Sequence, residues 1–292
     1  MTNTPVNSGG TISQATTIAD LQGALDRVRA AGQSVGLVPT MGALHEGHLS
    51  LVRRAHSEND FVVVSVFVNP TQFGPDEDFN RYPRDLDQDM RLAAEAGAHL
   101  VFAPEVDEMY LPGHCTWVDV EGLTEGLCGA TREGHFRGVS TVIAKLLNLC
   151  RPDRAYFGQK DAQQLVVIRR MVRDLNMGVE VVACPTVREP DGLALNSRNV
   201  YLNPEERAQA ALIYTGLRKA EELVAGGEYR ADRVEATIRE VLLEAPLAEV
   251  EYIVVVSVDD LEPLPCLEGD CLVALAVYFG NTRLIDNTIV RV

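Results

Sequence analysis

Lysine is nearly missing from this 292-residue chain: of 26 lysines and arginines, only Lys145, Lys160 and Lys219 are lysine. Acidic residues outnumber basic ones, giving a formal charge of −16. That balance excludes nucleic acid or an anionic membrane as a partner over the whole surface, so any anionic ligand must meet a local cluster of positive groups. Cysteine is sparse and scattered. Cys115, Cys128, Cys150, Cys184, Cys266 and Cys271 form no C-x-x-C pair, which excludes a zinc ribbon or a dense disulfide framework and predicts reduced, mostly buried thiols in a cytoplasmic protein. No apolar run reaches about 18 residues, so no membrane span is expected. The polar opening, Met1 to Gly10, lacks a basic segment followed by an apolar one and reads as a loose tail (residues 1–12) rather than a signal peptide.

What the chain does have is alternation. Ser34–Pro39, Phe61–Val68, His99–Phe102, Arg154–Phe157 and Val179–Ala183 are short runs rich in Val, Leu and Phe. Helical periodicity falls between them, at about 48–57, 84–96, 139–149 and 162–175. Strand–helix alternation predicts an α/β fold, a Rossmann-like doubly wound parallel sheet covered on both faces. After about residue 188 the texture changes. Asn203-Pro204-Glu205-Glu206 opens a helix expected to run to about Ala225; a second follows at about 230–244. Strand-like runs then occupy 250–258, 271–279 and 282–290. The division predicted is residues 1–187 for the large domain and 188–292 for a smaller α+β domain, hinged near 186–190.

In a doubly wound sheet, ligands sit beyond the carboxyl ends of the strands, and each unusual motif here follows a strand run. Met41-Gly42-Ala43-Leu44-His45-Glu46-Gly47-His48 leads into a helix whose N-terminus suits phosphate, with two imidazoles able to face one phosphate group. Taken alone, H-x-G-H also serves as a helix cap or half a metal site. Gln72 appears with Asn69 at the end of an apolar run, where amides can hold hydroxyl and carboxylate groups, although Asn-Pro is also an ordinary turn opener. Gly158-Gln159-Lys160-Asp161 carries one of the three lysines, with Gln164 a turn further on. Val187 begins a loop in which Leu195-Asn196-Ser197-Arg198 sets a hydroxyl beside a guanidinium, a fork suited to pyrophosphate. Arg132 and His135 sit before another helix, with structural roles as open as anion binding. Phosphate turn, polar pocket, lysine loop and Ser-Arg loop together form a set suited to adenylating a small acid.

The H-x-G-H turn resembles the HIGH signature of class I aminoacyl-tRNA synthetases and nucleotidyltransferases. From about residue 34 onward, PTMGALHEGH, FVNPTQFGPDEDFNRYPR, HFRGV, RPDRAYFGQKD and GNTRLIDN are similar to the pantoate–β-alanine ligase family. The resemblance implies a homodimer using ATP and Mg²⁺ to join pantoate and β-alanine through a pantoyl adenylate, releasing pyrophosphate and AMP. It implies that Met41 to His48, Gly158 to Asp161, Val187 and Leu195 to Arg198 contact ATP. His45, His48, Lys160 and Arg198 become the catalytic candidates. Gln72 would hold pantoate and border β-alanine, and Gln164 would hold pantoate. The metal ligands are undetermined, with Asp89 among the acidic residues after YPR as a candidate. The rival readings are another small-molecule nucleotidyltransferase and a nucleotide-binding module without catalysis.

One position departs from the family pattern: Asn196 stands where Ser-Ser-Arg-Asn would place serine. Its amide still donates hydrogen bonds, but it is larger and offers no hydroxyl. Asn196→Ser is expected to keep or raise kcat/KM for ATP in steady-state assays; a drop on restoring serine would overturn this reading.

Overall fold

The computed structural model describes residues 12–75 and 77–292; residues 1–11, most of the expected tail, lie outside the described residues. The first unit contains β1 (Ser13–Ala15), α1 (Ile18–Ala30), β2 (Val35–Thr40), α2 (Glu46–Glu58), β3 (Phe61–Val66), α3 (Leu86–Glu95) and β4 (Leu100–Phe102). The short α4 (Val106–Met109) and α5 (Cys128–Thr131), then α6 (His135–Cys150), β5 (Arg154–Gly158), α7 (Ala162–Asp174) and β6 (Glu180–Cys184) complete it. All six strands are parallel, in the order β1-β4-β3-β2-β5-β6. Without the short edge strand β1, this is the 3-2-1-4-5 order of a Rossmann-like sheet, with the switch point between β2 and β5.

Alternation along each strand builds two cores. Leu37, Val63, Leu100 and Phe102 face α1, α6 and α7, whereas Val38, Val62, Val64 and Val101 face α2 and α3. With both faces covered, the strands read as unbroken apolar runs. Each fully buried Val or Leu side chain contributes about 1.5–3 kcal/mol, against about 1 kcal/mol for a helix cap, so the sheet sandwich dominates stability.

The second unit packs α8 (Pro204–Ala210), α9 (Leu212–Ala225) and α10 (Ala231–Leu242) on an antiparallel sheet of β7 (Ala248–Ser257), β8 (Asp270–Phe279) and β9 (Thr282–Arg291). Its separate core includes Ile213, Leu217, Val234, Ile238, Leu275 and Phe279. Asn203 and Glu206 close a capping box ahead of α8.

Two expectations need correction. Ser34–Pro39 is the first strand expected in the large domain, yet β1 and α1 precede it. Thr17 caps α1, and Leu21, Leu25 and Val28, at i, i+4 and i+7, bury one face of it, which is the ordinary period of an amphipathic helix. The single helix expected from Asn203 to Ala225 is divided at Ala211, which keeps helical angles (φ −62, ψ −23), so this is a local loosening rather than a turn. The cysteines behave as expected: all six are free, and four are buried. No helix of the described residues is long and apolar enough to cross a membrane.

α6 presses directly on the Pro70–Gln72 turn that follows β3. A Cβ on Gly138 would fall 2.3 Å from the Thr71 carbonyl oxygen and 2.7 Å from the Gln72 nitrogen, both backbone atoms with little room to yield. Gly138→Ala is therefore expected to cost about 1–3 kcal/mol through overpacking. Urea denaturation should show a lowered midpoint; an unchanged one would mean the helix slides without strain.

Candidate active site

β2 ends at Thr40, and the chain must reverse within a few residues to enter α2. Gly42 takes φ +82 and Ala43 φ +50, both left-handed. The strain is held by Asp89, whose carboxylate accepts the Ala43 N–H at 3.0 Å and the Leu44 N–H at 2.7 Å. A Cβ at position 42 would lie 2.7 Å from an Asp89 oxygen, so the turn requires glycine there. Asp89 is buried. Burial raises its pKa against the pull of the two N–H groups. Asp89 thus faces the back of the turn as a structural acceptor, with both carboxylate oxygens taken by backbone N–H groups.

His45 is the N-cap of α2. Its Nδ1 accepts the Gly47 N–H at 3.2 Å, and His48 Nδ1 accepts the His45 N–H at 3.4 Å. Capping and ligand binding are therefore compatible uses of the same rings. With Nδ1 accepting, each neutral imidazole carries its proton on Nε2. The ring centroids are 4.1 Å apart. Burial, reinforced by the Lys160 charge, lowers the His45 pKa to about 4. Burial, and then His45 itself, lowers that of His48 to about 3. Both rings are neutral at physiological pH and carry their N–H on Nε2.

His45, Gly47, His48 and Met41 line a cavity of about 220 Å³ with Gln72, Gly158, Lys160, Asp161, Gln164, Val187 and Leu195 to Arg198. Loops from opposite sides of the switch point thus meet as the motif order predicted. Other candidates stay outside this wall. Gly42, Ala43 and Leu44 form the strained back of the turn, with the N–H groups of Ala43 and Leu44 taken by Asp89. Glu46 is exposed and paired with Arg53. Gln159 turns to the second unit, donating to Asn287 Oδ1 at 3.2 Å.

Gln72 is oriented by its neighbours. Its Oε1 accepts from Asn69 Nδ2 at 3.0 Å, and its Nε2 lies 3.2 Å from Met41 Sδ. Val139, Val142 and Ile143 of α6 supply an apolar wall that the sequence reading did not single out, because they resemble any buried helix face.

The cations are held by carboxylates. Arg198 donates Nε and one terminal nitrogen to Asp78, at 2.9 and 2.7 Å. Arg132 holds Glu77 through two bonds of 2.7 Å. Lys160 meets Asp161 at 3.2 Å. Burial works to raise the Asp161 pKa, but the Lys160 charge and hydrogen bond outweigh it and keep the carboxylate ionised. Arg132 also donates to His135 Nε2 at 2.9 Å, so His135 Nδ1 donates to the Gln72 carbonyl at 2.8 Å. His135 is neutral, its pKa lowered to about 4 by burial and then by Arg132. Glu77 and Asp78 stand inside the FVNPTQFGPDEDFNRYPR stretch. Their signal was two adjacent acids in a loop facing an arginine-bearing loop far along the chain.

A second cavity of about 350 Å³ shares Arg132, His135, Lys160, Asp161, Gln164, Asn196 and Arg198 with the first and continues to the β7-β8-β9 sheet. The loop carrying Leu195 to Arg198 touches the turn as well: Ser197 Oγ donates to the Ala43 carbonyl at 3.4 Å, and Asn196 Oδ1 caps the Ser197–Tyr201 turn by accepting the Arg198 N–H at 3.1 Å.

A Rossmann-order sheet with a helix N-terminus, two imidazoles and paired cations at its switch point defines a nucleotide-binding α/β protein. The pantoate–β-alanine ligase family pattern matches residues 13–289, and the chain belongs to that family. It is 56% identical over 276 residues to the pantothenate synthetase of Acetivibrio thermocellus, covering 94% of this chain and 98% of the relative. The Moorella thermoacetica pantothenate synthetase is 55% identical over 276 residues, with the same coverage. The crystal structure of pantothenate synthetase from Thermus thermophilus superposes with a TM-score of 0.91 at 51% identity, covering 95% of this chain and 99% of that one. That of the Francisella tularensis pantoate–β-alanine ligase, complexed with β,γ-ATP and β-alanine, gives 0.79 at 34% identity, covering 95% and 97%.

Removing the His48 N–H donor, as in His48→Ala, should lower kcat by about 10²–10³, the usual cost of one donor to developing charge. His48→Gln, which keeps an N–H near the Nε2 position, should recover part of it. Because His48 titrates near pH 3, turnover should show no His48-dependent fall between pH 8 and 6. A step with a midpoint near 6.5 that vanishes in His48→Gln would overturn the neutral-donor assignment.

Proposed function

We propose that this ligase joins pantoate to β-alanine in two half-reactions at the cavity below the β2–α2 turn. The observation that carries the reading is that the phosphate turn, the amide pair and both cationic loops line one cavity. A pantoate carboxylate oxygen attacks the α-phosphorus of ATP; the bond between that phosphorus and the bridging oxygen breaks, and pyrophosphate leaves. The amine of β-alanine then attacks the acyl carbon, the bond to AMP breaks, and the amine's surplus proton passes to solvent.

The apolar wall of Val139, Val142 and Ile143 suits the methyl groups of pantoate, and the amides of Gln72 and Gln164 suit its hydroxyl and carboxylate groups. Nε2–H of His48, with His45 beside it, donates to the α-phosphate as charge develops. Lys160 and Arg198 take the departing phosphates. Arg198 is bound to Asp78 by its Nε edge and keeps its other terminal nitrogen for this purpose. Leu195 to Arg198 move as a lid about the Val187–Arg188 boundary, which divides residues 1–187 from 188–292.

Mg²⁺ would enter with the triphosphate. Among the described residues no three His, Cys, Asp or Glu side chains gather to hold a metal; the ion would be carried by phosphate oxygens, water and one or two carboxylates. Asp161, on the wall common to both cavities, fits that role, and the ion would neutralise phosphate charge. A homodimer in the cytoplasm completes the reading. The exposed Leu111 and Trp117, on a segment without regular structure, suit contact with a second copy.

Pyrophosphate should appear with ATP and pantoate alone, and AMP with pantothenate only after β-alanine is added. Pyrophosphate without amide formation would favour a nucleotidyltransferase with a stable nucleotide product, and ATP binding without turnover would favour a binding module.

A further inference from the structure

The C-terminal stretch Gly280-Asn281-Thr282-Arg283-Leu284-Ile285-Asp286-Asn287 has no part in the mechanism above, yet it reaches the lysine loop. Lys160 sits in a single turn of 3-10 helix, Gln159–Asp161, between β5 and α7. The Gln159 and Lys160 carbonyls precede the first residue of α7, where unpaired backbone oxygens carry a desolvation cost. Asn287, buried at 4% exposure, supplies both partners: its Nδ2 donates to the Gln159 carbonyl at 3.0 Å and the Lys160 carbonyl at 2.8 Å. Its Oδ1 accepts the Gln159 side-chain amide at 3.2 Å. One side chain from the second unit thus uses both donors and an acceptor on two consecutive residues of the first.

The backbone beside Asn287 is fixed in turn. The Asn287 N–H donates to Asp286 Oδ1 at 2.8 Å. The Asp286 carboxylate binds Arg188 through two bonds of 2.5 and 3.0 Å. Arg188 lies over the Tyr214 ring at 4.1 Å and donates to the Gly192 carbonyl at 3.1 Å. The amide that grips the lysine loop is therefore anchored to the base of the loop that carries Arg198.

From this we infer that Asn287 is a positioning residue for the first half-reaction: it sets the backbone from which Lys160 reaches the departing phosphates. The inference rests on the adenylation reading above. Its test is a double-mutant cycle of Asn287→Ala and Lys160→Ala, read as single-turnover pyrophosphate release with ATP and pantoate, beside thermal melts. If Asn287 acts through Lys160, Asn287→Ala lowers the rate about tenfold in the wild-type background but less than about twofold in Lys160→Ala, because effects passing through one group do not add. Half-saturation by β-alanine in the second half-reaction stays within about twofold, since Lys160 serves the phosphates. Should Asn287→Ala fail to fold, Asn287→Ser, which keeps one donor, carries the same cycle with a smaller loss. A similar loss in both backgrounds, or an unchanged rate in folded Asn287→Ala, would overturn the inference. Absence of pyrophosphate from the wild-type protein would instead remove the adenylation reading.

Discussion

The site depends on a carboxylate that faces away from the cavity. Asp89 takes two consecutive N–H groups of a turn whose residues 42 and 43 are both left-handed. For Gly42 that conformation is free of Cβ strain, but for Ala43 it costs roughly 1–2 kcal/mol. Two hydrogen bonds to a buried carboxylate, each about 1.5–3 kcal/mol, exceed that strain. With the turn held, His45 falls at the N-cap, His48 follows three residues later, and both rings point Nε2 outward. Without Asp89 the sheet would persist, because its strands are buried on both faces. The helix entry would lose its set.

A second constraint is the acidity of the chain. A protein of charge −16 must concentrate positive groups to hold a polyphosphate, and cations gathered together repel one another before the ligand arrives. Here each is paired with a carboxylate: Arg198 with Asp78, Arg132 with Glu77 and Lys160 with Asp161. These pairs are partly buried, where removing one partner costs more than at the surface. They offset the local positive charge and fix each guanidinium by one edge. Phosphate then meets donors already oriented, which lowers the ordering cost of binding.

Much of this was legible in the sequence, and the boundary is instructive. The five central strands showed as apolar runs because a parallel sheet buries both faces. The motifs stood at strand ends because a doubly wound sheet opens there. α1 was legible too, since Leu21, Leu25 and Val28 stand at helical spacing with polar residues between them, although no strand-end motif marks it. Asp89 was legible as an acidic residue near the site but not by its direction, since its partners lie 45 and 46 residues away. Asp78 and Arg198 are 120 residues apart, and no local period records such a pairing. Local chemistry identified what could bind; only the tertiary fold shows which carboxylate holds which cation.

Strand alternation explains how the second unit takes part without entering the cavity's apolar wall. Successive side chains of β9 point to opposite faces. Leu284 packs in the core of its own unit, and Asp286, two residues on, shares that side and holds Arg188. Arg283, Ile285 and Asn287 project from the other side. Arg283 approaches Cys128 Sγ at 3.5 Å, Ile285 packs on the large core, and Asn287 grips the lysine loop. One face of a single strand is therefore the joint between the units, and the other secures the root of the Arg198 loop. The lysine and arginine arms of the site are thus both tied to one strand, by its period-two geometry.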